Sequence, residues 1–119
     1  MANTEREARI YNDIVVDCYH DDERAMGWYY YLQDQLQLPF NATCTLKRAI
    51  SPLRIKDKVE VIDMAPEDEC AHEIFVTIRW DKEGLAVPLA QLQPLRATDA
   101  QTQQAVADWH YWVERGYGF

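Results

Sequence analysis

The alternation of residue type between positions 74 and 80 constrains the fold of this chain more than any other feature of its sequence. Apolar residues occupy every second position there, and the inward set is Ile74, Val76, Ile78 and Trp80. A period of two places alternate residues on one face of a strand. The pattern therefore predicts a β-strand with one face packed on a core, and with it a sheet to which that strand belongs.

Other segments supply the rest of that sheet. Alternation over 42–46, the run "KVEVID" at 58–63 and the run "LAVPL" at 85–89 each predict a short strand. The sequence "DKEG" predicts a hairpin loop with Gly84 at positive φ, and Pro88 indicates an edge strand or a strand end. The segment "AQLQPL" predicts a single tight turn.

Three helices are predicted around the sheet, over residues 4–19, 21–36 and 98–114. Thr4 with Glu7 fits a capping box for the first, and Asp21 or Asp22 is a candidate N-cap for the second. Helical spacing predicts these inward residues: Ile10, Ile14 and Cys18; Ala25, Trp28 or Tyr29, Leu32 and Leu36; Val106, Trp109 and Val113. We therefore expect one α+β domain over residues 1–119, a small SH3-like antiparallel β-barrel or curled sheet flanked by two N-terminal helices and one C-terminal helix.

Composition excludes several function classes. The chain has 119 residues and a formal net charge of −8, which disfavours nucleic acid as a partner. It contains no apolar run near the roughly 18 residues of a membrane span, and its first residues do not resemble an export signal. Three cysteines, an odd number, favour free thiols in a reducing cytoplasm. We expect a cytoplasmic protein with no membrane or nucleic-acid partner.

The charges are separated into two blocks. Residues 47–58 hold five bases and one acid, whereas residues 60–73 hold six acids and no base. The second block includes the segment "MAPEDECAHE" at 64–73, whose four carboxylates are Glu67, Asp68, Glu69 and Glu73. Such a cluster either faces water or surrounds a cation. On the residues alone, a solvated turn is the simpler interpretation.

Calcium suits such a loop because it takes six to eight hard oxygen ligands in adaptable geometry. The loop is not an EF-hand: the twelve-residue template started at Asp63 places Asp68 where glycine is needed and Ile74 where glutamate is needed. Asp34 is a further candidate ligand, since a carboxylate at the C-terminal end of a helix is disfavoured by the helix dipole unless a cation neutralises it. The alternative, that Asp34 is simply exposed and is tolerated at a small cost in stability, remains open.

Signatures of catalysis are absent: the sequence has no G-x-S-x-G, no phosphate-binding glycine loop and no H-E-x-x-H. We therefore expect no enzyme. A zinc site is one alternative, because two C-x-H pairs could provide four soft ligands, namely Cys18, His20, Cys70 and His72. A metal-free SH3-like interaction module with an acidic docking face is the other.

Three segments in order, "DDERAMGWYYYLQDQLQLPFNATC", "VEVIDMAPEDECAHEIFVTIRW" and "LAVPLAQLQPL", resemble the small acidic non-EF-hand calcium-binding proteins of cyanobacteria. The resemblance covers roughly residues 20–95. It implies a compact, bowl-shaped protein with two calcium sites, acting as a calcium buffer. It also implies that Asp34 is a ligand, since it matches the family's aspartate after "WYYYL". The acidic loop matches the family's acidic loop, and Glu67, Asp68, Glu69 and Glu73 are its candidate ligands on chemical grounds.

Together these observations predict an intracellular calcium buffer or sensor with Ca²⁺ as its bound ion, at up to two sites, and they do not identify a protein partner. The predicted metal ligands are Asp34, Glu67, Asp68, Glu69 and Glu73.

Overall fold

The computed structural model describes residues 2–16 and 18–115. Its helices are α1 (Ala2–Arg9), α2 (Asp21–Gln35) and α3 (Ala100–Glu114). Its strands are β1 (Phe40–Cys44), β2 (Lys58–Met64), β3 (Phe75–Ile78), β4 (Leu85–Pro88) and β5 (Leu92–Pro94). Three short turns of helix complete the set: a π-helical turn (Ile10–Ile14) and two 3-10 turns (Glu67–Cys70 and Leu89–Gln91).

The five strands form one antiparallel sheet in the order β4-β3-β2-β1-β5. Strands β1 to β4 follow one another as a meander, and β5 returns to pair with β1. This confirms the predicted α+β class with a small antiparallel sheet. Pro88 lies in β4, an edge strand, as its missing N–H requires. The single turn predicted for "AQLQPL" is wrong, because after one 3-10 turn Leu92 pairs with Cys44 in the sheet.

The period-2 pattern correctly identifies the buried face of β3 and the burial of Ile74, the residue before it. Ile74, Val76 and Ile78 are fully buried, as predicted. Trp80 was predicted to point inward and does not, since 40% of it is exposed. The strand ends at Ile78, and Trp80 lies at the start of the hairpin turn, where its carbonyl accepts the N–H of Gly84. Gly84 has φ +83°, as the loop prediction required.

The N-terminal helix is shorter than predicted. Helical structure ends at Ile14 and not near residue 19, although Ile10 and Ile14 are buried as expected. Cys18 is half-buried and lies beyond the helix. The predicted capping box is wrong because α1 begins at Ala2, which places Thr4 inside the helix.

The other two helices lie close to their predicted positions. Asp21 is the first residue of α2 and not its cap, which is His20. In α3 the cap is Asp99, whose carboxylate accepts the N–H of Thr102 at 2.8 Å. Val113 was predicted to be buried but is 38% exposed. Gly116, a residue type that favours the end of a helix, lies outside the described residues.

Aromatic packing joins α2 to α3. The Trp28 ring is 0% exposed, and its centroid lies 5.1 Å from that of Trp109 and 5.6 Å from that of Trp112. The predicted apolar stripe of α2 is buried as well: Ala25, Trp28, Tyr29 and Leu32, followed by Leu36. α2 also contacts the 3-10 turn Glu67–Cys70, and this contact positions the candidate site. Within the described part of the chain, no helix is long and apolar enough to cross a membrane.

Candidate metal centre

The acidic segment folds as a 3-10 turn between β2 and β3. The N–H of Glu69 donates to the carbonyl of Pro66 at 3.0 Å, which closes the turn. Cys70 anchors it: this residue is 1% exposed, and its sulfur accepts the N–H of Phe75 at 3.3 Å. With Cys70 turned inward, Glu67, Asp68 and Glu69 all face solvent.

Two consecutive tyrosines of α2 fasten this turn to the helix. The Tyr29 hydroxyl donates to the carbonyl of Ala65 at 2.8 Å, and the Tyr30 hydroxyl donates to Oε2 of Glu67 at 3.1 Å. Tyr29 is buried, whereas Tyr30 is 48% exposed. Within the run "WYYY", Trp28 therefore packs in the core, whereas Tyr30 contacts the acidic turn.

Between α2 and the turn lies a cavity of about 420 Å³. Its apolar lining comes from both sides, chiefly Ala25 and Met26 of α2 and Ala71 after the turn. Its acidic lining is Asp22, Glu67 and Asp68. We call this space the acidic-rimmed cavity.

The carboxylates of the acidic turn make the electrostatic potential there negative, and this contributes to the raised pKa of neighbouring groups. Burial raises the pKa of Tyr29, and the charges of Glu67 and Asp63 raise it further. Tyr30 has a raised pKa chiefly because its hydroxyl donates to Glu67. Burial raises the pKa of the Cys70 thiol, and nearby Glu69 and Asp68 add to the increase. Such a potential favours a bound cation.

Glu73 is separated from the other carboxylates by an ion pair. Both of its oxygens accept from Arg48, at 2.7 and 3.0 Å, in a bidentate arrangement. Arg48 and Glu73 are both partly buried, with side chains 33% and 21% exposed. A cation at Glu73 would have to compete with this guanidinium.

Asp34 lies near the end of α2, as predicted, but in a different cavity. It is exposed, accepts a hydrogen bond from the side chain of Gln35 at 3.3 Å, and lines a polar space of about 830 Å³ with Asp13 and Arg9. It follows Tyr30 by one helical turn, which is about 6 Å along the axis. Tyr30 lines the same space as Asp34, and its hydroxyl donates to Glu67.

Among the described residues, no three or more Asp, Glu, His or Cys side chains are already arranged so that they could hold a metal ion. The donors around the acidic turn are carboxylate, phenol and carbonyl oxygens, which suit calcium by chemical type. The structure thus brings Glu67 and Asp68 together at one cavity and leaves Asp34 at a neighbouring one.

The same finding contradicts the zinc alternative, since Cys18, His20, Cys70 and His72 are not grouped within residues 2–16 and 18–115. Cys18 makes a contact of 3.4 Å with the carbonyl of Glu23, and Cys70 is enclosed by the core. Each sulfur therefore has a local structural role.

Three residues at these cavities were not predicted from sequence as site residues. The sequence marks Asp22 only as a candidate helix cap, and it carries no site prediction for Tyr30 or Asp13. The sequence does indicate that Tyr30 is near the candidate site, because Tyr30 lies one helical turn before Asp34 and therefore on the same side of α2.

Comparison with known proteins identifies similar proteins of one family. The Calci_bind_CcbP family model, described as calcium binding, matches residues 8–113. The crystal structure of Anabaena CcbP is 39% identical in sequence with a TM-score of 0.85, covering 98% of this chain and 94% of that one. A calcium binding protein in the calcium-binding form has the same identity and TM-score, covering 97% and 94%. Among curated proteins, none matches.

Proposed function

Because the chain belongs to the CcbP-type family of calcium-binding proteins, we propose that it binds Ca²⁺ itself and acts as an intracellular calcium buffer or sensor without catalysing a reaction. The observation that carries this proposal is the outward-facing set of carboxylates on the 3-10 turn, held against α2 by Tyr29 and Tyr30. Calcium would neutralise that set.

The proposed ligands come from two places. Glu67, Asp68 and Glu69 supply carboxylates from the turn, and Asp34 supplies one from the end of α2. Glu73 has a different role in this proposal, because the pair with Arg48 already uses both of its oxygens. Two ligand sources at neighbouring cavities are consistent with two calcium sites.

The site is proposed to be of a non-EF-hand type. An EF-hand places its loop between two helices, whereas this acidic turn joins β2 to β3. We further propose that the sheet is an SH3-like barrel. Its support is the four-strand meander, the 3-10 turn before the last strand, and the pairing of that last strand with the first.

Calorimetric titration of chelator-treated protein tests the proposal with calcium, magnesium and zinc in turn. We expect calcium affinity in the micromolar to sub-millimolar range, on the order of sensor and extracellular sites. Asp34→Ala and Glu67→Gln should each weaken a site at least tenfold. Glu83→Gln, which removes an exposed carboxylate from the hairpin turn instead, should leave affinity unchanged.

Protein that takes up zinc but releases no heat with calcium would contradict the proposal. A metal-free interaction module would instead give no binding of any of the three ions. Unchanged affinity in Asp34→Ala would place the ligands elsewhere.

A further inference from the structure

The loop between β1 and β2 ends in a tight turn that presents an apolar and a basic residue together. The carbonyl of Arg54 accepts the N–H of Asp57 at 3.0 Å, and the carboxylate of Asp57 accepts the N–H of Arg54 at 2.8 Å. Ile55 and Lys56 form the tip of this turn. The N–H of Lys56 donates to the carbonyl of Cys44 at 2.7 Å, which fixes the tip on β1.

Two features of this tip are unfavourable for the isolated chain. Ile55 is 58% exposed, and Ile50 in the same loop is 64% exposed. Lys56 has φ +81°, in the left-handed region that favours glycine. A lysine held there is in a strained backbone conformation. The loop thus keeps aliphatic side chains in water at the most basic part of an acidic protein.

The acidic-rimmed cavity has the complementary properties. Its apolar lining includes Met26, itself 43% exposed, and its acidic lining includes Glu67 and Asp68. A cavity of about 420 Å³ accommodates an aliphatic side chain. The tip offers an aliphatic group followed by a positive charge, and the cavity offers an apolar recess beside negative charges.

The tip precedes β2 and the acidic turn follows it, so the two surfaces lie at opposite ends of one strand. The ion pair of Arg48 with Glu73 joins the basic loop to the segment that follows the acidic turn. Two surfaces at opposite ends of a strand can pair reciprocally about a two-fold axis, so that each copy provides a tip and receives one. Charge complementarity at both contacts would offset the repulsion between two molecules of charge −8.

We propose that two copies of this chain associate reciprocally, with Ile55 of each copy in the acidic-rimmed cavity of the other and Lys56 against the Glu67 and Asp68 carboxylates. This interaction goes beyond calcium binding and does not rest on it. It is therefore tested in chelator, where calcium is absent.

Sedimentation equilibrium of the full chain in chelator measures the association. Wild-type protein should show a concentration-dependent monomer–dimer equilibrium. Lys56→Glu and Asp68→Lys should each raise the dimer dissociation constant at least tenfold, since each puts like charges in contact. An equimolar mixture of the two variants should restore the dimer, because both contacts in the mixed pair again join opposite charges. Ile55→Ser should weaken it without any change in charge.

Lys82→Glu is the matched control: it makes the same charge change on another exposed turn and should not alter the equilibrium. Wild-type protein that stays monomeric at all concentrations would overturn the proposal. The proposal would also be overturned if neither charge variant changed the dimer dissociation constant, or if mixing the two variants failed to restore the dimer. Binding of the monomer to phosphatidylserine vesicles that depends on Ile55 would assign the loop to a membrane surface and overturn it as well.

Discussion

Arg9 holds Asp108 across 99 positions of sequence through two hydrogen bonds, from Nε to Oδ2 at 2.8 Å and from Nη2 to Oδ1 at 2.7 Å. Asp108 is 0% exposed and also accepts from Arg6 and from the Tyr31 hydroxyl, each at 2.9 Å. The hydrogen bond from Arg9 to this carboxylate raises the pKa of Arg9, against the opposing effect of burial. Asp108 therefore joins α1, α2 and α3 at one buried point.

Replacing Asp108 by asparagine should strongly destabilise the fold. The change preserves size but leaves Arg6 and Arg9 partly buried without a counter-charge. Breaking a buried ion pair by removing one partner costs about 3–5 kcal/mol. Urea unfolding should show a loss of that order, and a loss below about 1 kcal/mol would mean that the pair adds little.

An exposed ion pair provides the control for this prediction. Arg79 donates to Glu60 at 2.5 Å, but the Arg79 side chain is 67% exposed. Pairs of this kind contribute about 1 kcal/mol or less. Glu60→Gln should therefore change the free energy of unfolding far less than Asp108→Asn.

Gly27 in α2 is required by the close approach of the π-helical turn. A Cβ at this position would lie 2.4 Å from the carbonyl oxygen of Ile14, a backbone atom that cannot easily yield. Glycine to alanine within a helix ordinarily stabilises by roughly 1 kcal/mol. Here Gly27→Ala should destabilise instead, by about 1–3 kcal/mol as overpacking does. Met26→Ala, at the exposed neighbouring position, should have a much smaller effect on thermal unfolding.

Local patterns in the sequence predicted the parts of the fold that local physics determines. The alternation at Ile74, Val76 and Ile78 and the helical stripe that includes Trp28 and Leu32 are both buried as expected. Each pattern indicates which face of one helix or strand is buried, and a few neighbouring residues are enough to show it.

Pairings between distant residues could not be predicted in this way. Nothing near Asp108 in sequence indicates that two arginines 99 and 102 positions away will surround it. In the sequence, Glu73 and Glu67 are equivalent candidate ligands. Only the structure shows that the Glu73 carboxylate is paired with Arg48. The charge pattern located the acidic loop and the family resemblance favoured a cation there, but which of its carboxylates share a cavity depends on how the turn packs against α2.

His110 should make the fold less stable in mild acid. Burial lowers its pKa, outweighing the Leu92 carbonyl and Glu114, which raise it. The folded pKa thus lies below the unfolded value of about 6.5. The stabilisation is present above that value and is lost as the pH falls, because the unfolded state takes up the proton more readily.

This prediction is checked by urea unfolding between pH 7.5 and 5.5. His110→Gln keeps a donor for the Leu92 carbonyl, which the ring Nε2 contacts at 2.7 Å, but removes the titrating group. The decline in stability toward pH 5.5 should be smaller in the variant. Equal slopes for the two proteins would exclude His110 as the source.

The pKa of the Tyr30 hydroxyl should depend on the charge at Glu67. Its hydroxyl donates to that carboxylate, which raises the pKa of Tyr30 above the usual value of about 10. A calcium ion bound at Glu67 favours the phenolate, so calcium should lower the pKa of Tyr30 in a pH titration followed by NMR. Glu67→Gln should lower it without calcium and remove the calcium response. Tyr19, 77% exposed, serves as the reference ring, because a shift common to both tyrosines would reflect net charge and not binding at Glu67.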